Sequence, residues 1–153
     1  MSNDSEFNSN GTRYVIPAAQ VLKHLGLNKN DLSRERVSIS VDMLKKLIVE
    51  ALRLREIDEE DYLFTHSDVR SAILAGEINS GREHYCMTGY FENRAPGTLP
   101  FDPEWYYTQN KDISQHFTRD QEAEMEAHFV STGYAEGRPG TEQDFLTLKK
   151  WME

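Results

Sequence analysis

The chain has 153 residues, enough for one domain or two small ones sharing a core, with 17 Lys/Arg against 26 Asp/Glu and a formal charge of −9. That balance argues against a nucleic-acid partner, which selects a basic face, and the single cysteine, Cys86, excludes a disulfide framework or a multi-cysteine metal site. No apolar run approaches the ~20 residues of a membrane span and the N-terminus lacks a signal-peptide stretch, so a soluble, cytoplasmic protein is expected.

In chain order, residues 1–12 are polar and read as a disordered tail. Residues 13–56 form a head in which Tyr14-Val15-Ile16 and Val37-Ser38-Ile39-Ser40 are short β-type runs. Between them, Ala18 to Leu27 reads as a short helix with Gly26 near its end. Ser40 or Asp42 then caps an amphipathic helix through Glu56, with Leu44, Leu47, Ile48, Ala51 and Leu52 at helical spacing. Two short strands in so small a head gain by pairing with each other or with a second chain, which predicts a homo-oligomer formed through the head. Charge divides at the same place. Residues 1–56 hold nine Lys/Arg and seven Asp/Glu, a net of +2, whereas residues 57–153 hold eight and nineteen, a net of −11. The asymmetry fits head-to-body contact between protomers, a basic head meeting an acidic partner, or simply a solvated exterior.

Beyond the head the chain repeats itself. Shifted by forty-four positions, residues 57–96 fall on 101–140 without a gap, and ten of the forty pairs are identical. They are Asp58/Asp102, Glu60/Glu104, Tyr62/Tyr106, Asp68/Asp112, His84/His128, Thr88/Thr132, Gly89/Gly133, Tyr90/Tyr134, Glu92/Glu136 and Arg94/Arg138. Repeat 1 is assigned to residues 57–100 and repeat 2 to 101–140, each read as two helices. The first starts at an Asp N-cap, Asp58 or Asp102, the latter followed by Pro103. A turn at Asp68 and Asp112 offers to break it in two. The second helix starts at Ser80-x-x-Glu83 in repeat 1, and at Asp120 or Thr118-x-x-Gln121 in repeat 2. It is expected to stop at Gly89 and Gly133 as left-handed residues, with Tyr90 and Tyr134 closing an aromatic contact. Residues 141–153 read as a C-terminal helix capped by Thr141, with Phe145, Leu148 and Met152 on one face. The fold class expected is mainly α: two tandem helical repeats after a small α+β head with two short strands.

The run Phe101-Asp102-Pro103-Glu104-Trp105-Tyr106, then Asn110-Lys111-Asp112-Ile113, then His128-Phe129-x-x-x-Gly133-Tyr134-x-Glu136-Gly137-Arg138-Pro139, resembles a bacterial helical repeat. That repeat occurs beside glycosyltransferases and in cell-surface polysaccharide gene sets. Its pattern is Phe-Asp-x-x-Trp-Tyr, Pro-Asp-Val, then His-Tyr-x-x-x-Gly-x-x-Glu-Gly-Arg. Repeat 1 departs from it at Asp61 and Asn93, and both copies lack its proline, having Ser67 and Lys111. The resemblance implies an accessory role in a surface-glycan setting, with a glycosyltransferase or assembly component as protein partner.

His84 and His128, with His66 and His116 nearby, are the candidates for chemistry. No His-x-x-x-His or Cys-x-x-Cys spacing supports a metal, so each repeated His is read as a structural residue bonded to a carboxylate or carbonyl. Neither a metal nor a cofactor is assigned. Glu92/Arg94 and Glu136/Arg138 are candidates for phosphate or sugar binding, or for pinning the loop after the helix to Asp68 or Asp112. Cys86, among aromatics, reads as a small buried apolar residue. Trp105 and Tyr107 are candidate sugar-stacking rings; Trp105 and Tyr106 read first as core residues, and Tyr107 fits either role. The leading reading is a non-catalytic interaction or scaffolding protein. A carbohydrate-binding module using Trp105, Tyr107 and the Glu/Arg pairs comes second, and a small enzyme using His84 or His128 with Glu92 or Glu136 third.

Overall fold

A computed structural model describes residues 16–153. The described chain is mainly helical, with nine α-helices and no strand among these residues. The tail at residues 1–12 and the Tyr14-Val15 part of the first β-type run lie outside them. Ile16 and residues 37–40 carry no regular structure, so the expected two-stranded head is corrected to a helical one. The physical reason is pairing: an extended run without a neighbouring edge has no ladder to complete.

The chain divides into two compact units, one through Ala51 and one from Leu52 onward. In the first, α1 (Ala18–His24) is followed by a 3-10 turn, Lys29–Ser33, and by α2 (Val41–Arg53). Local caps order these segments. The Asn28 side chain accepts from Asn30 N at 2.9 Å, and Asp31 returns the favour by accepting from Asn28 N at 2.8 Å. Ser40 caps α2, its hydroxyl accepting from Met43 N at 3.3 Å. The helix ends at Arg53, short of Glu56. Val49 is the single buried apolar side chain among the described residues of this unit.

The second unit contains both repeats. Repeat 1 comprises α3 (Glu59–Thr65), α4 (Ser67–Leu74), α5 (Gly81–His84) and a π turn, Tyr85–Gly89. Repeat 2 comprises α6 (Pro103–Gln109), α7 (Lys111–His116), α8 (Glu122–His128) and a π turn, Phe129–Gly133; α9 (Glu142–Met152) follows. Asp58 and Asp102 cap as their positions require, accepting from Asp61 N at 3.1 Å and Trp105 N at 2.9 Å. The breaks fall at His66 and Asn110, ahead of Asp68 and Asp112, which sit in the first turns of α4 and α7. Ser80 caps α5, accepting from Glu83 N at 3.0 Å. In repeat 2 the equivalent helix begins earlier in the repeat, at Glu122, after Gln121, whose side chain accepts from Thr118 N at 2.9 Å.

The expected helix stop is corrected too. Gly89 and Gly133 are not left-handed; the chain passes through them in π turns closed by Tyr90 N to Tyr85 O and Tyr134 N to Phe129 O, both 2.8 Å. The left-handed residues come four later, Asn93 at φ 58° and Gly137 at φ 79°. Around them Arg94 N bonds Gly89 O and Arg138 N bonds Gly133 O, both at 2.9 Å, while Asn93 N reaches Tyr90 O at 3.1 Å and Gly137 N reaches Tyr134 O at 2.9 Å. These paired bonds are the Schellman ending, displaced by one turn.

Gly89 and Gly133 are glycine for a different reason. A Cβ on Gly89 would lie 2.5 Å from the Tyr62 hydroxyl, and one on Gly133 would collide with the hydroxyl of Tyr106. Each tyrosine is fully buried; Tyr62 packs edge-on against Tyr85, and Tyr106 packs with Ile113, Met125 and Phe129. Gly133→Ala is therefore expected to destabilise the protein by about 1–3 kcal/mol, the usual cost of overpacking. Combining it with Tyr106→Phe, which removes the obstructing oxygen, should cost less than the sum of the two single changes; urea unfolding of the four proteins measures this.

Candidate functional site

The repeated polar residues converge within each copy. The Tyr62 hydroxyl lies 3.0 Å from Nδ1 of His84, and that of Tyr106 lies 3.1 Å from Nδ1 of His128. A tyrosine phenol thus stands where a carboxylate or carbonyl was expected as the histidine's partner. Burial pushes the Tyr62 phenol up to about 12, opposed by the Arg94 charge, and burial lowers His84 below its usual 6.5, with Arg94 adding to the effect. His66 Nε2 meets Ala95 O at 2.8 Å. Its counterpart, Asn110, donates instead to Tyr106 O at 2.8 Å.

Each arginine that follows the Schellman turn folds back onto its own copy. Arg94 donates from Nε to Glu92 at 2.7 Å and from Nη1 to Asp68 at 2.8 Å. Arg138 donates from Nε to Glu136 at 2.8 Å and from Nη1 to both oxygens of Asp112, at 2.9 and 2.8 Å. These bonds hold the carboxyls of Asp68 and Asp112 below the ordinary carboxylate range. The Glu/Arg pairs thus join the turn after the last helix to the start of the middle one.

The remaining candidates are partly covered. Trp105 is half-buried, its ring centroid 6.1 Å from that of Phe145 on α9. Tyr107 packs on the repeat 2 core and carries the Arg119 guanidinium 4.7 Å over its ring. Cys86 is fully buried, and burial raises its thiol above the usual value. Among the described residues, no group of three His, Cys, Asp or Glu side chains is placed to hold a metal ion. No helix among them is long and apolar enough to cross a membrane.

Residue-by-residue reading missed a cavity of about 630 Å³ where the two repeats and α9 meet. Tyr90, Phe91, Leu99, Tyr134 and Leu148 supply apolar walls, and Arg138 and Asp144 are its charged members. Its volume and lining suit a ligand pocket, for which roughly 300–1,000 Å³ is usual. The Tyr85 and Tyr134 phenols, one from each repeat, interact beside it, and burial raises both above the usual tyrosine value. The position equivalent to Tyr85 in repeat 2 is Phe129, so only the first copy carries a hydroxyl there. That substitution was the one sequence signal of the junction.

Because folded His84 takes a proton less readily than the unfolded chain, stability is expected to fall as pH drops from about 7 to about 5. Urea midpoints should show this, and His84→Gln should flatten the slope over that range. Replacing Arg138 by Lys should cost about 1 kcal/mol, since an ammonium cannot span Asp112 and Glu136 as the guanidinium does; thermal unfolding at neutral pH measures it.

No protein-family model matches this chain, and no curated protein or solved structure is significantly similar to it.

Proposed function

We propose that this is a non-catalytic interaction protein that self-associates through its head and acts as a scaffold or accessory component. The observation that carries the reading is the uncovered apolar stripe of α2: Val41 is 66 % exposed, Leu44 47 % and Leu47 41 %. Units of roughly 50 residues are marginal even with a core, and this one has a single buried apolar side chain among its described residues. An amphipathic helix of this kind gains stability by laying its stripe against a partner.

The repeated residues support the reading from the other side. His84, His128, Glu92, Arg94, Glu136 and Arg138 all have partners inside their own copy, so their recurrence follows from each copy solving one packing problem. The motif resemblance favours a bacterial surface-polysaccharide or glycosyltransferase system as the setting, with one of its proteins as partner. The carbohydrate-binding alternative needs open aromatic faces, whereas Trp105 and Tyr107 are half-buried.

Light scattering over a range of protein concentrations tests this. The full chain is expected to exceed monomer mass, and Leu44→Asp combined with Leu47→Asp to return it to monomer with helical content unchanged by circular dichroism. A full chain that stays monomeric throughout overturns the reading.

A further inference from the structure

We infer that the cavity between the repeats is the receptor for α2 of a second copy, so that the protein assembles head to body. The inference rests on the self-association reading above and names the surface that the head contacts. Two unfilled apolar surfaces on one chain motivate it. One is the α2 stripe, with Val41, Leu44, Ile48 and Ala51 at the spacing with which a helix lies in a groove. The other is the cavity, whose Tyr90, Phe91 and Leu148 remain 42 %, 37 % and 42 % exposed.

Charge selects this pairing over a symmetric contact between two heads. At the cavity, Arg138 is outnumbered by Asp112 and Glu136, which it bonds, and by Asp144 on the wall. The body as a whole carries −11, and the head +2. Residues 41–53 include Lys45, Lys46 and Arg53 against Asp42 and Glu50, with Arg53 already paired with Glu83, so the attraction rests on the net charges of head and body. A head approaching a body is attracted, whereas two like-charged heads repel. Such a contact joins two different surfaces, so one copy keeps a free head and the other a free cavity, and association continues beyond a dimer unless a ring closes.

Complementation between two full-length variants tests this. Leu44→Asp with Leu47→Asp disables the head, and Leu148→Lys disables the cavity by placing a cation among its apolar walls. Ala135→Arg, at an exposed lining residue, serves as a second cavity variant, so that a folding defect in one does not decide the matter. Each variant alone should associate at least about tenfold more weakly than the unmodified chain, while an equimolar mixture should form a 1:1 complex that grows no further. Raising salt should weaken that complex. If the cavity variants associate normally and only the head variant fails, the heads pair with each other and the inference is overturned while self-association stands. A mixture that stays monomeric although both partners are folded also overturns it. An unmodified chain that never associates removes both readings.

Discussion

Each repeat is organised around a tyrosine hydroxyl seated against the backbone of a helix. The phenols of Tyr62 and Tyr106 are wholly buried, yet each oxygen needs a polar partner, and His84 and His128 supply it through Nδ1. The oxygen can come so close only because the facing residue, Gly89 or Gly133, has no side chain. The π turn at the same place leads the chain on to Asn93 or Gly137, where it reverses. The arginine that follows is then carried to Asp68 or Asp112. Tyrosine, histidine, glycine and arginine are thus consecutive parts of one local solution.

That coupling explains why some of the fold was legible in the sequence and some was not. Asp58, Asp102, Ser80 and Thr141 cap helices through hydrogen bonds to a residue three positions on, a local rule that spacing reveals. The duplication was legible because both copies preserve the residues of the buried cluster. Gly89 and Gly133 misled because glycine serves two ends, positive φ and close approach, and both look alike in a sequence. The pairing of Asn93 with Gly137 was the better pointer, since these two residue types best tolerate a left-handed backbone. Residues 37–40 have strand-like composition, but composition does not supply a partner edge. The cavity was hidden for another reason: its walls come from four separated stretches of chain, so no local pattern marks it.

The same cluster bears on function. Polar residues that recur at equivalent positions invite a catalytic reading, and here they are occupied with one another. What distinguishes the copies is more informative than what they share. Tyr85 faces Phe129 in the alignment and alone carries a hydroxyl at that position. Cys86 is buried where Val130 is exposed. The differences lie along the junction and the outer surface, where two identical units must become one asymmetric body.

Because the Tyr–His–Gly–Arg cluster closes within a single copy, its long-range contacts span only 22 to 26 residues of chain. The second copy also ties its own ends together, Asp102 N donating to Gly140 O at 3.0 Å. A unit that completes its polar cluster locally can be added or lost by recombination without rebuilding the cluster of its neighbour. Array length is then an independent variable, able to change while the geometry of every individual unit stays the same.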